Sequence, residues 1–261
     1  MFLEYCFNSQ TFRQSKAIYL RNYVNRYSGM KFHYTWLLLM PCLPLFLYNM
    51  LSMIGIFKEI ETGLPRAISV SLGIIVYNLF SDTFVGITNT LEENQNFINK
   101  TGVSFKACYI STLMSVYSDF IIRMVVFSSM LFVYNIYNLQ GIFLISFLSV
   151  VPVLYGLSIG LTLSILNVFF KDIRNIVQTI AFYMLFASGV FGVVKGDTMI
   201  ERWVSELPTY ILVINARNLL TGAELESYNN LIITILIAFI TLLISILGVK
   251  NIESLTRNYL R

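Results

Sequence analysis

Long apolar runs separated by short polar segments dominate the chain. The runs 124–170 and 175–194 contain no charged side chain, and each is long enough to cross a bilayer, which requires about 20 apolar residues. The segment between them carries Lys171, Asp172 and Arg174. Because a charge at the bilayer centre costs roughly 2.5–3.5 kcal/mol even on the lenient insertion scale, this charged segment is predicted to lie at a membrane face.

The same pattern predicts an all-α, polytopic membrane protein with a single domain over residues 1–261. Six membrane-crossing helices are predicted, over residues 32–57, 67–91, 107–134, 142–166, 176–194 and 227–249. Pro41 and Pro44 predict a kink or a break in the first span, and Gly156 and Gly160 predict close helix packing in the fourth. The polar loop 92–106 is long enough for a short helix.

Two further segments are predicted to lie along the membrane surface. Residues 11–31 place aromatic side chains on one helical arc and mostly polar ones on the other, which is typical of an interfacial helix; a frayed extension of the first span is the alternative. Residues 195–226 contain too short an apolar patch to cross the bilayer. Amphipathic stretches on both sides of Pro208 predict two short helices that dip into the outer leaflet and return.

The third predicted span carries the most unusual polar pair of the chain. Asp119 and Arg123 are four residues apart, so a helix places them on one face with the acid before the base. If unpaired, these two charges would cost about as much as the apolar residues of the span return on insertion. We therefore expect the two side chains to neutralise each other or to face a bundle interior, as a functional site or as a purely structural couple.

Composition agrees with a membrane protein, because 56% of the residues are hydrophobic and only 12% are charged, against about 25% charged in soluble domains. The basic residues lie in short loops, so the net charge of +4 does not indicate a nucleic-acid partner. If both termini are inside, the basic residues on the cytoplasmic side are Arg13, Lys16, Arg21, Arg26, Lys31, Lys100, Lys106, Lys171, Arg174, Lys250, Arg257 and Arg261. The smaller set outside is Lys58, Arg66, Lys195, Arg202 and Arg217, and this excess inside predicts the orientation.

The sequence contains no catalytic or metal-binding constellation, so an enzyme is not expected. The lone histidine, His33, lies at the start of the first predicted span, where interfacial packing is its usual role. Cys6, Cys42 and Cys108 are odd in number and lack CxxC spacing. The motif G-x-x-x-x-G-K-[ST] is absent, so the chain does not bind ATP through it.

Four stretches of the chain carry a family resemblance. They are A-I-Y-L-R-N-Y-V-N-R-Y with Y-T-W-L-L-L-M-P (17–41), E-E-N-Q-N-F-I-N-K (92–100), L-N-V-F-F-K-D-I-R-N (166–175) and L-P-T-Y-I-L-V-I-N-A-R-N-L-L-T-G (207–222). In order and spacing they resemble the membrane subunits of bacterial ABC exporters for capsular polysaccharide, O-antigen and teichoic acid, the type-two ABC permeases. The third stretch is the most specific, although Lys171 stands where the family more often has arginine.

The resemblance implies a half-transporter in the bacterial cytoplasmic (inner) membrane. Two copies would form a homodimer around a central pathway for a lipid-linked polysaccharide, and two separate ABC ATPase subunits would bind ATP and Mg, so that this chain holds no cofactor. The loop 92–106 would be a coupling helix that docks into an ATPase, which the interfacial helix would also touch. The segment 195–226 would form outward gate helices at the mouth of the pathway, in contact with membrane lipids.

The resemblance also implies roles for particular residues. The coupling residues are Glu92, Glu93, Asn94, Gln95, Asn96, Phe97 and Lys100. The cytoplasmic motif consists of Asn167, Phe170, Lys171, Asp172 and Arg174. The outer gate contains Pro208, Tyr210, Arg217 and Asn218.

Aromatic side chains, 15% of the residues, suit a conduit for sugars, because sugars present flat C–H faces and hydroxyl edges. The expected pathway residues are Tyr77, Phe80, Phe84, Tyr117 and Tyr155, for which packing or lipid contact is the alternative. Two other functions stay open: an ABC permease for small amphiphiles such as drugs, and an ion-coupled transporter that uses Asp119 and Arg123 as a relay. No inverted repeat or pair of broken helices is visible in support of the latter.

Overall fold

The structure, a computed structural model, describes residues 9–23, 26, 31–32, 35–36, 39, 42–54, 63–136, 138–192, 198–223, 225 and 228–260, with the backbone alone at 48, 52, 53, 139 and 250–260. Every regular element within these ranges is a helix, which confirms the all-α prediction. In chain order the helices are α1 (Ser9–Asn22), α2 (Leu43–Met53), α3 (Arg66–Glu93), α4 (Gln95–Thr101), α5 (Phe105–Val133), α6 (Leu139–Leu148), α7 (Val150–Phe169), α8 (Asp172–Ala187), α9 (Met199–Ser205), α10 (Pro208–Thr221) and α11 (Tyr228–Leu260).

Within the described residues, four helical segments are long and apolar enough to cross a membrane. They are α3, α5, the segment Gln140–Phe169 that comprises most of α6 and all of α7, and Tyr228–Val249 at the start of α11. These segments coincide with the predicted second, third, fourth and sixth spans. The chain therefore has the helices of a membrane protein.

The predicted first and fifth spans remain predictions. Only α2, of 11 residues, represents the first span, and Pro44 lies in its first turn, where the missing N–H costs nothing; Pro41 and His33 are outside the described residues. The fifth span contains α8, whose 16 residues rise about 24 Å, less than the roughly 30 Å of a hydrocarbon core. α8 ends before Gly189, whose φ of +71° belongs to the left-handed region.

Helix α3 is the central element of the bundle and packs against α2, α5, α7, α8 and α10. In its most apolar stretch 72% of the residues are buried, against 17% in α11, so α3 is interior and α11 is peripheral. In a bilayer the driving force for such packing is close van der Waals contact rather than the hydrophobic effect. The position of α3 therefore depends on how closely its neighbours approach.

The predicted close packing around Gly156 and Gly160 is present at the contact between α7 and α3. A Cβ atom at Gly156 would lie 2.7 Å from the backbone oxygen of Phe80. A Cβ atom at Gly160 would lie 2.9 Å from the Cβ atom of Ile87. Each distance is shorter than a normal carbon contact, so hydrogen is the largest substituent that fits at these two positions.

The fourth predicted span is divided into α6 and α7 at Ser149. Pro152 lies one turn after Leu148 and has no N–H group to donate to that carbonyl, and its ring crowds the same carbonyl. The hydroxyl of Ser149 donates to the backbone oxygen of Ser146 at 2.5 Å instead. A proline and a serine thus account for the break.

Helix α1 confirms that the N-terminal amphipathic segment is helical over Ser9–Asn22 and shows which face packs on the bundle. Ser15 and Ile18 are fully buried, and α1 lies against α5. Phe12 and Leu20 stay exposed on other sides of the helix. The helix therefore has both a protein-facing surface and exposed apolar side chains, as an element at the edge of a membrane bundle requires.

Candidate functional site

The loop predicted to couple to an ATPase contains a short helix, α4, as expected. Helix α3 ends directly before Asn94, whose φ of −101° leaves helical geometry. Helix α4 ends at Gly102 with a left-handed φ of +65°. The side chain of Ser104 then accepts a hydrogen bond from the backbone N–H of Ala107 at 3.3 Å and begins α5. The end of α3, the end of α4 and the N-cap of α5 therefore set the course of the loop through contacts close in sequence.

The end of α1 holds this loop through Asn94. The Nη2 atom of Arg21 and the Nδ2 atom of Asn22 donate to Asn94 Oδ1 at 2.7 and 3.0 Å. Asn94 Nδ2 donates to the backbone oxygen of Thr90 at 2.8 Å, so both ends of its amide are used. The guanidinium of Arg21 also lies 4.0 Å above the ring of Phe97. Asn94 is only 3% exposed, so it anchors the loop internally.

The predicted cytoplasmic motif contacts the same loop at Glu92 and Glu93. Asn167 is 1% exposed and donates from Nδ2 to Glu92 Oε2 at 3.1 Å and to the backbone oxygen of Thr88 at 3.3 Å. Arg174 lies 4.0 Å from a carboxylate oxygen of Glu92 and 3.8 Å from one of Glu93. These partly exposed ion pairs contribute little energy individually, but they bring α3, α7 and α8 together at one end.

Residues of α1 and of the 167–174 motif, which are distant in sequence, thus contact the start of the loop 92–106. We call the convergent side chains the α4 cluster: Arg21, Asn22, Glu92, Glu93, Asn94, Phe97, Asn167 and Arg174. Ile98 is 3% exposed and seats α4 on the core. The other predicted residues of this end do not enter these contacts: Gln95 is half-buried, and Asn96, Lys100, Phe170, Lys171 and Asp172 are exposed. This end of the bundle therefore combines a partly buried polar cluster with exposed polar residues and an exposed Phe170.

The residues predicted to lie outside gather at the other end of the bundle. Asn138 Nδ2, in the predicted outer turn, donates to the backbone oxygen of Leu220 at 2.8 Å. A Cβ atom at Gly141 would lie 2.7 Å from the backbone oxygen of Leu219, so this turn touches the end of α10. Two described helices, α9 and α10, lie on either side of Pro208 as predicted, whereas their re-entry into the membrane remains a prediction.

The predicted gate residues have different positions within α10. Pro208 is the first residue of the helix, where a proline fits. Tyr210 is 4% exposed and packs its ring over Gly189, and Arg217 is fully buried. The backbone oxygen of Asn218 accepts from the N–H of Ala223 at 3.0 Å. Most of α10 is thus core, which the mixed composition of this segment did not predict.

The two ends are consistent with the predicted alternation of sides. Ser69, which contacts Arg217, and Glu92, in the α4 cluster, are separated along α3 by about 35 Å of helical rise. Segments predicted on one face contact each other at one end, and segments predicted on the other face contact each other at the opposite end. Which end faces the cytosol rests on the distribution of basic residues.

The structure adds Asp82 on α3 to the predicted pair of Asp119 and Arg123. Arg123 Nη1 lies 2.7 Å from Asp82 Oδ2 on α3, and the side chain of Arg123 is 7% exposed. The hydroxyl of Tyr23 donates to Asp119. An arginine is long enough to reach a neighbouring helix, so one shared helix face does not decide its partner. The two charges face the bundle interior, as the other half of the expectation required.

Asp82 is the residue that sequence reasoning missed. It is the one charged residue within 67–91 and its side chain is 36% exposed. A lone acid in an apolar span requires a partner, and the one base within the next span is Arg123. Counting charges between spans, rather than within one helix, would have identified the pair.

The predicted pathway aromatics lie mostly in the protein core. Tyr77, Phe80 and Phe84 are each less than 5% exposed, and the ring of Phe80 is 5.6 Å from that of Phe84 and 6.4 Å from that of Tyr155. Tyr155 and Tyr117 are partly buried at the edge of the same core. In this conformation the side chains pack as the alternative interpretation expects, and their role in a pathway stays a prediction.

The space beside these rings is too small for a substrate. A shallow crevice that leaves no room for even a water molecule is lined by Val76, Tyr77, Phe80, Pro152, Thr209 and Leu212. Small-molecule sites usually have about 300–1,000 Å³. The crevice therefore marks the junction of α3, α7 and α10 rather than a binding site.

An exposed aromatic surface on α8 was not predicted. Phe182, Tyr183 and Phe186 are each more than half exposed, and the ring of Phe182 lies 5.5 Å from Tyr183 and 5.8 Å from Phe186. Their spacing of one, three and four residues places them on one side of a helix. This spacing was visible in the sequence, but burial was needed to show that this side of α8 is the more exposed one among the described residues.

No group of three His, Cys, Asp or Glu side chains in the described part of the chain could hold a metal ion. Cys42 and Cys108 are buried free thiols. Comparison with protein-family models and with curated proteins finds no match to this chain.

Proposed function

We propose that the chain is the membrane subunit of an ATP-driven ABC exporter that moves a lipid-linked polysaccharide across the bacterial cytoplasmic membrane. Two copies pair around the pathway, and two ABC ATPase subunits that hold ATP and Mg bind from the cytosol. The observation that carries the proposal is the α4 cluster. The loop that contains this short helix is held by α1 at Asn94 and by the 167–174 motif at Glu92 and Glu93.

The arrangement of α4 suits a mechanical input. Its anchoring residues, Asn94 and Ile98, are each 3% exposed, whereas Asn96 and Lys100 face outward. A push on the exposed face is therefore delivered to α3 directly and to α1 and α8 through the hydrogen bonds and ion pairs of Arg21 and Arg174. Packed helices that have two discrete arrangements can transmit a binding event in this way from one end of the bundle to the other.

The exposed aromatic surface of α8 supports a conduit between two copies. Phe182, Tyr183 and Phe186 each remain more than half exposed among the described residues. Aromatic faces contact the C–H faces of sugars without a tight site, and a tyrosine hydroxyl adds a hydrogen bond. In a homodimer built around this surface, a polymer could slide along it.

The polar groups inside the bundle favour a second candidate, an ion-coupled transporter. Asp82, Arg123 and Asp119 lie within α3 and α5, and intramembrane ionisable residues often form proton relays. The two functions differ in energy source. Export that persists without any ATPase and stops when the proton gradient collapses supports the second candidate, and the reverse result supports the first.

Reversing exposed charges on the α4 end is expected to release the ATPase without unfolding the permease. We expect the double variant Glu93→Lys with Lys100→Glu to reduce roughly tenfold the co-purification of a Walker-motif ATPase encoded beside this chain. A tenfold loss corresponds to about 1.4 kcal/mol of binding free energy. Glu92 is left unchanged because it accepts the hydrogen bond from Asn167.

The control for this experiment is Arg202→Glu on α9, an exposed charge reversal at the opposite end. It should leave both the membrane level and the co-purified ATPase unchanged. If the α4 double variant retains its ATPase, or if both variants lose it equally, α4 is not the docking element.

A further inference from the structure

Arg217 is the largest fully buried side chain of the described residues, and its partners are all backbone carbonyl groups. Its Nε atom donates to the oxygen of Ser69 at 3.2 Å, Nη1 to that of Gly189 at 2.8 Å and Nη2 to that of Val190 at 2.7 Å. Burial lowers the pKa of the guanidinium to about 10, which leaves the group charged at neutral pH. One side chain thus connects α10 with the start of α3 and with the turn after α8.

The surroundings of Arg217 are built to admit a guanidinium. A Cβ atom at Gly73 would lie 3.0 Å from Nη2, so a larger residue there would crowd the guanidinium. Gly189 takes a φ of +71°, and a Cβ atom there would lie 2.6 Å from the ring of Tyr210. The carbonyls of Gly189 and Val190 follow the end of α8, where carbonyl groups lack helical partners and attract a cation.

Among the described residues, the hydrogen-bond partners of Arg217 include no acid, so opening this contact separates no ion pair. A buried carboxylate would hold Arg217 by a full charge, and separating the two would leave an uncompensated charge. Carbonyl dipoles hold it more weakly and can be exchanged for water when the site opens. The planar fork of arginine contacts two separate segments at once, which a lysine ammonium cannot do in the same geometry.

We propose that Arg217 is a positioning residue that latches the outer end of the chain shut by fastening α10 to α3 and α8. Opening of this end requires the guanidinium to leave the three carbonyls, so that Thr209 and Leu212 of α10 separate from Val76 and Phe80 of α3. The inference deepens the proposed function, because the latch would control exit of the polymer, but its structural content does not depend on the substrate.

The latch is tested by the reactivity of a cysteine placed under α10. Thr209 is 3% exposed, so a Thr209→Cys side chain reacts with a polar maleimide only when α10 moves. The full chain, with Cys6→Ser, is reconstituted in lipid nanodiscs, where the reagent reaches both faces. We expect Arg217→Gln to raise the labelling rate of the introduced cysteine roughly tenfold or more, since losing hydrogen bonds from a charged donor shifts an equilibrium by such factors.

Native Cys108 is the internal control, because it is fully buried far from α10 and reacts faster only when the bundle unfolds. Arg202→Gln on α9 is the matched control variant and should leave both rates unchanged. Arg217→Lys keeps the charge and should give an intermediate rate at the introduced cysteine. An unchanged rate in both Arg217 variants, or an equal rise at Cys108, overturns the proposal.

Where Arg217→Gln lowers the yield of folded protein, Arg217→Lys decides the question by the same two rates. The assay needs neither the polysaccharide nor the ATPase. If Arg217→Gln raises the labelling rate at Thr209→Cys but the native chain exports no glycan in cells, the latch is supported and the proposed function is refuted. If the native chain exports glycan but the labelling rate does not change, the proposed function is supported and the latch is refuted.

Discussion

Removing one member of the Asp82–Arg123 pair should lower the amount of correctly inserted protein much more than removing both. The two side chains lie 2.7 Å apart between α3 and α5, and Arg123 is nearly buried. Breaking a buried pair costs about 3–5 kcal/mol because one charge is left uncompensated. Since the side chain of Asp82 is 36% exposed, we expect about 3 kcal/mol, or more than a hundredfold in the folded-to-unfolded ratio.

The measurement is a double-mutant cycle in which the amount of monodisperse protein extracted from membranes is compared between variants. Asp82→Asn and Arg123→Gln should each lower it strongly, and the double variant should recover most of the loss, because a neutral amide pair needs no counter-charge. The same cycle with Asp119→Asn in place of Asp82→Asn is the control. Recovery with Asp119→Asn but not with Asp82→Asn would show that the pair predicted from the sequence is the correct one.

Adding a single methyl group at Gly156 should separate α7 from α3 and destabilise the whole bundle. The new Cβ atom would lie 2.7 Å from the backbone oxygen of Phe80, and a backbone cannot move aside as a side chain can. Overpacking of this kind lowers the free energy of unfolding by about 1–3 kcal/mol, which we expect for Gly156→Ala, and Gly156→Leu should lower it further. The effect is measured by heating the purified chain in detergent and recording the temperature at which the monodisperse fraction is lost.

Gly248 provides a matched control within a helix. A Cβ atom there would meet nothing within 4 Å, so Gly248→Ala should be neutral or stabilising by about 1 kcal/mol through helix propensity. Opposite signs for the two glycine-to-alanine changes are therefore expected. Equal midpoints for Gly156→Ala and Gly248→Ala would mean that α3 and α7 do not approach each other as closely as the structure has them.

Local signals in the sequence were sufficient for most helices. Apolar runs predicted the four long spanning segments, and the polar loop predicted α4, because a helix satisfies its own backbone groups whatever its neighbours are. Amphipathic stretches on both sides of Pro208 predicted two short helices, and in the structure the proline is the first residue of α10, a position that does not need its missing N–H. The length of α8 was overestimated, because Gly189 and its left-handed backbone end the helix inside an apolar run.

The candidate site was predictable in part. The residues of the coupling loop and of the 167–174 motif were identified from their polar character and from a family resemblance, but not their mutual contacts. The partner of Arg123 and the burial of Tyr77 depend on which neighbouring helices approach, and no local pattern contains that information.

Hydrophobic length and the placement of charges thus determined, without any structure, that this is a helical membrane protein with polar segments at two opposite ends. Those properties depend on the free energy of transferring each segment from water to lipid, which each segment's own residues determine. Only the tertiary structure decided that Arg123 binds Asp82, that Arg217 is enclosed by carbonyl groups, and that Arg21 and Arg174 meet the same loop. Long cationic side chains reach across helices, and their partners are fixed by packing distances that sequence spacing does not record.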